Sequence, residues 1–186
     1  MGGVLAYVFW HRPAEGGDPA GYEAALAGFH AALVADPPPG FGGSAAVALE
    51  TAPWLAGEGA AYEDWYLVAS WAALGELNAC AVSGSRAGPH DAAAAAAGSG
   101  AAGVYALLAG VAAPPTPAWR AWLAKPAGMG YPAFHAALAA ALPPSGAAWQ
   151  RQMTLGPAGE YLIAAPEPIA LPWPARAAGA RAVVGA

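Results

Sequence analysis

A repeated pentapeptide constrains this chain more than any other feature of its sequence. The run Phe-His-Ala-Ala-Leu at residues 29–33 recurs at residues 134–138. A short apolar run precedes each copy, at residues 4–10 and 104–108, and a proline stop follows each copy. Several segments repeated in the same order are the signature of internal duplication. The sequence therefore predicts two related halves, each ordered strand, helix, strand, strand.

The helix of the first half has clear local signals at both ends. Asp18 is a favourable N-cap, and Pro19 suits the first helical position. Asp36 precedes three prolines, which disfavour helical geometry, so the helix is expected to end there. Its apolar positions recur at helical spacing and predict one buried face, formed by Tyr22, Leu26, Phe29 and Leu33.

The helix of the second half is predicted in two pieces. A short piece begins at Thr116 and carries residues 119–123, and a longer piece covers residues 131–142. The other predicted elements are strands at 45–51, 62–69, 149–155 and 160–165, and linking helices at 70–82 and 89–97. We expect one domain over residues 1–168, with repeats of about 1–100 and 101–168 and a Pro/Ala-rich tail at 169–186.

Charge and composition limit the partners that we expect. The net charge is −5, and the seven Lys and Arg residues are not clustered, so no basic stripe for nucleic acid or anionic membrane is indicated. The long uncharged run at residues 92–119 is broken by Gly and Pro, which argues against a membrane span. We expect a cytoplasmic monomer or homodimer whose partner is a small molecule.

Two tandem strand-helix-strand-strand units with the duplicated helix resemble the ferredoxin-like dimeric α+β barrel superfamily, fused as a pseudo-dimer within one chain. The resemblance covers residues 1–168. It implies an α+β fold, either a pseudo-twofold α+β barrel or a sheet with helices on one face. It also implies a cavity between sheet and helices for a small, often aromatic molecule. The Gly-x-x-Asp-Gly motif of the haem peroxidases in the wider group is absent.

The end of the first predicted strand is the first candidate site. Trp10, His11 and Arg12 follow one another there, and an imidazole beside a guanidinium offers a base next to an anion-binding fork. The alternative is that the polar pair marks the point where the strand leaves the core. Tyr66, on the strand that also carries Asp64, is a second candidate for ligand contact.

The duplicated helices each carry a histidine on the flank of the apolar face. His30 and His135 could ligate haem iron or serve as general bases. The alternative is a structural histidine bonded to a strand, since duplication copies structural positions too. No phosphate loop, His-x-x-x-His pair or nucleophile elbow is present, so no metal site is predicted and any cofactor is unknown.

These candidates predict a small-molecule-binding protein, with cofactor-independent monooxygenase-like or isomerase-like activity as the enzymatic hypothesis. His11 and His30 are the predicted catalytic residues, and the predicted ligand contacts are Trp10, Arg12, Tyr66 and His135. Two alternatives stay open at this point. One is a non-catalytic binding or sensing protein, and the other is haem binding through a helix histidine.

Overall fold

The structure is a computed structural model and describes residues 3–52, 54–114, 118–154, 156 and 158–184. Its strands are β1 (Leu5–Pro13), β2 (Phe41–Leu49), β3 (Ala61–Val68), β4 (Ala97–Gly110), β5 (Trp119–Leu123), β6 (Ala147–Thr154), β7 (Tyr161–Ala165) and β8 (Arg176–Val184). Its helices are α1 (Pro19–Ala35), α2 (Trp71–Ala81), α3 (Ala87–Ala96) and α4 (Tyr131–Ala141). A short 3-10 turn, Gly84–Arg86, leads into α3.

The eight strands form one closed antiparallel barrel in the order β1-β3-β2-β8-β5-β7-β6-β4. This finding overturns the prediction of a ferredoxin-like α+β fold, and with it the resemblance to the dimeric α+β barrel superfamily. The described strands leave no open sheet with helices on one face, because each of the eight has a neighbour on both sides. The two edges that an open sheet would leave are paired, since β4 bridges β1 and β6 while β8 bridges β2 and β5.

A repeated unit is visible in the strand order. β1-α1-β2-β3 has the spatial order β1-β3-β2, and β5-α4-β6-β7 has the order β5-β7-β6. The run at 104–108, predicted as the counterpart of β1, belongs to β4 instead. β5 takes that place, so the helix predicted over residues 119–123 is wrong. The predicted start of that helix at Thr116, and residue 155 of a predicted strand, lie outside the described residues.

Strand β8 closes the barrel and comes from the segment predicted as a Pro/Ala-rich tail. It pairs with β2 through residues 180–184 and with β5 through residues 176–179. Its side chains are mostly small, so backbone hydrogen bonds rather than bulky apolar contacts hold it in place.

The predicted helix α1 is confirmed with its cap. The carboxylate of Asp18 accepts hydrogen bonds from the backbone N–H groups of Ala20 (3.1 Å) and Gly21 (2.9 Å), and Pro19 occupies the first turn. The predicted apolar face is buried against the outside of the barrel. Helix α2 is confirmed as well and is capped by Ser70. No helix in the described part of the chain is long and apolar enough to cross a membrane.

Alternation along the strands divides the core into an interior and an outer layer. On β1, Val8 and Trp10 face the barrel interior, whereas Leu5 and His11 face outward. The interior holds the fully buried rings of Trp10, Trp65 and Trp149. Outside the barrel, one apolar cluster packs under α1, α2 and α3, and a second packs under α4.

An ion pair lies inside the barrel among the tryptophans. Arg120 on β5 donates from Nε to Oε1 of Glu63 on β3 at 2.7 Å, and both side chains are fully buried. The indole N–H groups of Trp10 (2.8 Å) and Trp65 (2.6 Å) donate to the same carboxylate. The pair joins the two repeated units across the interior.

Candidate functional site

A cavity of about 820 Å³ lies on the outside of the barrel. Its floor is the outward face of β1, β3 and β4, and helices α1, α2 and α3 form its walls. Most of the wall is apolar, with Leu26 and Phe29 from α1 and Leu77 from α2. On β4, Ala97 and Ala102 present only methyl groups to the cavity, which leaves the space open. A concave, mainly apolar site with a few polar groups is typical of small-molecule binding.

The polar groups of the floor form a line from Asp64 through His11 to Tyr22. His11 lies on β1 and Asp64 on β3, two strands paired so that Phe9 faces Asp64. Nε2 of His11 is 3.2 Å from Oδ2 of Asp64, although the approach is not aligned for a hydrogen bond. Nδ1 of His11 makes a short hydrogen bond with the hydroxyl of Tyr22 on α1. A carboxylate, an imidazole and a hydroxyl therefore lie in sequence at the cavity floor.

A second imidazole, that of His30, lies near the same carboxylate. Nε2 of His30 lies 3.7 Å from Oδ2 of Asp64, and its Nδ1 lies 2.7 Å from the hydroxyl of Ser44 on β2. Tyr66 donates its hydroxyl proton to Asp64 Oδ2 at 3.1 Å, and its ring stacks on His30. His30 is not among the residues that line the cavity, so its contacts with the site are those with Asp64 and Tyr66.

The surroundings fix the charge state of Asp64 and of the tyrosines. Burial alone would raise the pKa of Asp64, but the charge that His11 carries when it is protonated and the contacts with both imidazoles outweigh burial and hold that pKa well below its usual range. Burial and the nearby Asp64 charge raise the pKa values of Tyr22 and Tyr66 well above the usual value for tyrosine. At neutral pH the site therefore contains a carboxylate and neutral phenols.

This arrangement permits proton relay. Because Nε2 of His11 faces a carboxylate, we assign its proton to Nε2, which leaves Nδ1 to accept the hydroxyl proton of Tyr22. A carboxylate that orients an imidazole, which in turn accepts a proton from a hydroxyl, is the logic of a catalytic triad. In this site Tyr22 supplies the hydroxyl group of such a triad, and its side chain lines the cavity.

Three buried polar atoms of the site have no hydrogen-bond partner within the described part of the chain. They are Nε2 of His11, Nε2 of His30 and Oδ1 of Asp64. Buried polar atoms without partners are uncommon and often mark a functional position. Among the described residues, no group of three or more His, Cys, Asp or Glu side chains is arranged to hold a metal ion.

The six residues predicted for the site do not all come together. His11 and Tyr66 line the cavity, and His30 lies behind it. Trp10 points into the barrel interior and donates to Glu63. Arg12 donates to the carbonyl oxygens of a loop at residues 55–60, so its donors are occupied there. His135 lies on α4, away from the cavity, and its Nε2 is 3.0 Å from the hydroxyl of Tyr161 on β7.

Tyr22 and Asp64 are the site residues that sequence reasoning missed. The sequence predicts Tyr22 only as part of the buried face of the first helix, and Asp64 only as a neighbour of Tyr66 on its strand. Alternation on β3 was the available signal for Asp64, because it places Asp64 on the same face as Tyr66 and opposite Glu63. No local signal connects Tyr22 with His11.

No protein-family model matches this chain, and no curated protein matches it.

The charge of Asp64 makes the stability of the fold depend on pH. Its folded-state pKa is depressed, so its contribution is present above the unperturbed value of 3.8 and is lost as pH falls below that value. We expect the free energy of unfolding to drop by about 1 kcal/mol more in the wild type than in Asp64→Asn between pH 5 and pH 3. Urea titrations across this range measure the difference.

An exposed carboxylate provides the control for this pH dependence. Asp91 also lies beside an imidazole, that of His90, but at the surface. Asp91→Asn should keep the acid dependence of the wild type. If Asp64→Asn and the wild type lost stability in parallel, the contact between Asp64 and the two imidazoles would not stabilise the folded state.

Proposed function

We propose that this protein binds a small, largely apolar molecule in the cavity beside α1, α2 and α3 and catalyses a proton transfer on it. The line Asp64–His11–Tyr22 at the cavity floor is the observation that carries the proposal. Proton abstraction is the first step expected of both isomerase-like and cofactor-independent monooxygenase-like chemistry. It is the step that these side chains supply, and isomerase-like chemistry needs only the return of the proton.

The proposed step moves two protons in concert. The oxygen of Tyr22 takes a proton from the ligand while the phenol proton of Tyr22 passes to Nδ1 of His11. His11 becomes an imidazolium beside the carboxylate of Asp64, and the ligand carries the negative charge until the proton returns. Because burial raises the pKa of Tyr22, a free phenolate is unfavourable and the transfer depends on His11.

The experiment begins with the molecule that the purified protein carries. Native and denaturing mass spectrometry would identify a co-purified ligand as a mass difference that disappears on denaturation. Proton NMR of that ligand in deuterated water, with and without enzyme, then measures exchange of its hydrogens with solvent. Enzyme-dependent exchange supports the proposal, whereas binding with no exchange would leave a binding or sensing protein.

A side chain placed in the cavity should abolish binding without unfolding the protein. Gly75 on α2 lines the cavity, and a Cβ at this position meets no atom within 4 Å. We expect Gly75→Leu to weaken ligand binding at least tenfold. Stability should hold or rise by up to about 1 kcal/mol, because glycine is a poor helix former. Calorimetric titration and thermal unfolding measure the two quantities.

Gly28 on α1 is the matched control for this variant. It is also an exposed helical glycine with open space around its Cβ, but it does not line the cavity. Gly28→Leu should keep full affinity. Equal affinity in the wild type, Gly75→Leu and Gly28→Leu would place the binding site elsewhere and overturn the proposal.

Location and assembly belong to the same proposal and rest on the sequence alone. We propose a cytoplasmic protein that does not bind nucleic acid or membranes and that acts as a monomer or a homodimer. Light scattering of the purified protein distinguishes these two assembly states from larger ones.

A further inference from the structure

We propose that the cavity selects ligands that carry a protonated amine, with the ammonium group bound at Oδ1 of Asp64 among aromatic rings. This inference rests on the proposed function for the location of the site, and it adds the class of ligand. It does not depend on whether the ligand is turned over.

The two oxygens of Asp64 are in different situations. Oδ2 lies near both imidazoles and accepts the hydroxyl proton of Tyr66. Oδ1 is buried and has no hydrogen-bond partner among the described residues. A buried carboxylate oxygen left without a donor costs free energy, and a ligand that donates a hydrogen bond would remove this cost. Asp64 lines the cavity and is only 3% exposed.

The lining of the cavity favours a cation over an anion. None of the lining residues that the structure describes is Lys or Arg. A ligand carboxylate or phosphate would therefore be buried next to Asp64 without a permanently charged partner, which is strongly unfavourable. An ammonium group at Oδ1 would form a charge-assisted hydrogen bond.

Aromatic rings around Asp64 add a second attraction for a cation. Phe9 is the residue opposite Asp64 in the pairing of β1 with β3, and Tyr7 is opposite Tyr66. The rings of Tyr7 and Tyr66 lie 6.0 Å apart between centroids, and all three aromatic residues line the cavity. The faces of aromatic rings attract ammonium groups, more strongly where water is excluded.

A matched series of probes tests the charge of the ligand. The probes are 2-naphthylmethylamine, 2-naphthylmethanol and 2-naphthoate, which share one ring system and differ in the polar end. We expect the wild type at pH 7 to bind the amine at least about tenfold more tightly than the alcohol, and the carboxylate most weakly. Calorimetry or tryptophan fluorescence measures the three affinities. Equal binding of amine and alcohol, or tighter binding of the carboxylate, would overturn the inference.

The variant Asp64→Asn tests whether Asp64 causes the preference for the amine. Asp64→Asn should abolish the preference for the amine and change affinity for the alcohol by less than about threefold, since only the charged contact is lost. A preference that survives in folded Asp64→Asn would contradict the role of Asp64. If this variant does not fold, the ranking of the three probes on the wild type still decides the question.

Gly75→Leu separates failure of this inference from failure of the proposed function. It should weaken all three probes together if they bind in the cavity. A carboxylate preference that Gly75→Leu abolishes would reject the amine but keep the cavity as the binding site. Probe binding that is insensitive to Gly75→Leu would reject the cavity itself.

Discussion

Replacing Arg120 with methionine is expected to lower the free energy of unfolding by about 3–5 kcal/mol. The substitution keeps an unbranched side chain of similar length but removes the guanidinium that pairs with Glu63 in the fully buried interior. The carboxylate would keep the two indole donors of Trp10 and Trp65 but lose its only charged partner in the described interior. A buried charge without a counter-charge is among the costliest defects in a protein core. Urea denaturation of both proteins at pH 7 measures the difference.

The same substitution in an exposed ion pair is the control. Arg181 pairs with Glu23 at 2.6 Å on the surface, where the arginine side chain is 62% exposed. Arg181→Met should cost less than about 1 kcal/mol, because water screens an exposed pair. Losses of equal size in Arg120→Met and Arg181→Met would show that the interior pair stabilises the fold no more than a surface contact.

Removing both charges distinguishes the net stability that the ion pair contributes from the cost of burying one unpaired charge. We expect the double variant Glu63→Leu/Arg120→Met to be more stable than Arg120→Met alone, because replacing a whole buried pair with apolar side chains is often neutral. The pair joins β3 of one repeated unit to β5 of the other. In that case the pair serves to fix the position of β3 relative to β5 and adds no net stability.

Elements whose signals are local could be predicted from the sequence. Helix α1 follows from the cap at Asp18, the proline at the first turn and apolar spacing along one face, and these act within a few residues of each other. Ser70 marks the start of α2 in the same way. Such signals need no knowledge of the strands against which the helices pack.

Strands β5 and β8 could not be predicted because their stability comes from distant partners. Trp119, Trp122 and Leu123 have helical spacing, but in the barrel Trp119 and Leu123 face outward while Trp122 faces inward. Arg120 also faces the interior, where it pairs with Glu63. β8 has few large apolar residues and is held by pairing with β2 and β5. Barrel closure is the same kind of long-range property, and it overturned the predicted fold class.

The candidate site also combines a residue that could be predicted from local sequence with residues that could not. His11 could be predicted as a site residue because it follows Trp10 at the end of a strand. Alternation along the strand places the side chain of His11 outward and that of Trp10 inward. Its partners come from elsewhere in the chain, since Tyr22 lies on a helix and Asp64 on a paired strand. Only the packing of α1 on β1 and β3 brings these groups together.

Removing one hydroxyl group should therefore suppress the proposed reaction. We expect Tyr22→Phe to lower the rate of ligand hydrogen exchange with deuterated water by about 10²–10⁴-fold, the usual contribution of a positioned acid or base. Ligand affinity should change by less than about threefold, because the ring that lines the cavity is kept. Proton NMR measures exchange, and calorimetry measures affinity.

Tyr131 provides the control for deletion of a phenol hydroxyl. It lies on α4, and its hydroxyl donates to Glu160 at 3.2 Å, away from the cavity. Tyr131→Phe should leave exchange unchanged. If Tyr22→Phe exchanged at the wild-type rate while His11→Ala did not, His11 would take the proton directly and Tyr22 would only position it. If both variants kept the wild-type rate, the line from Asp64 to Tyr22 would be structural, and the cavity would serve binding alone.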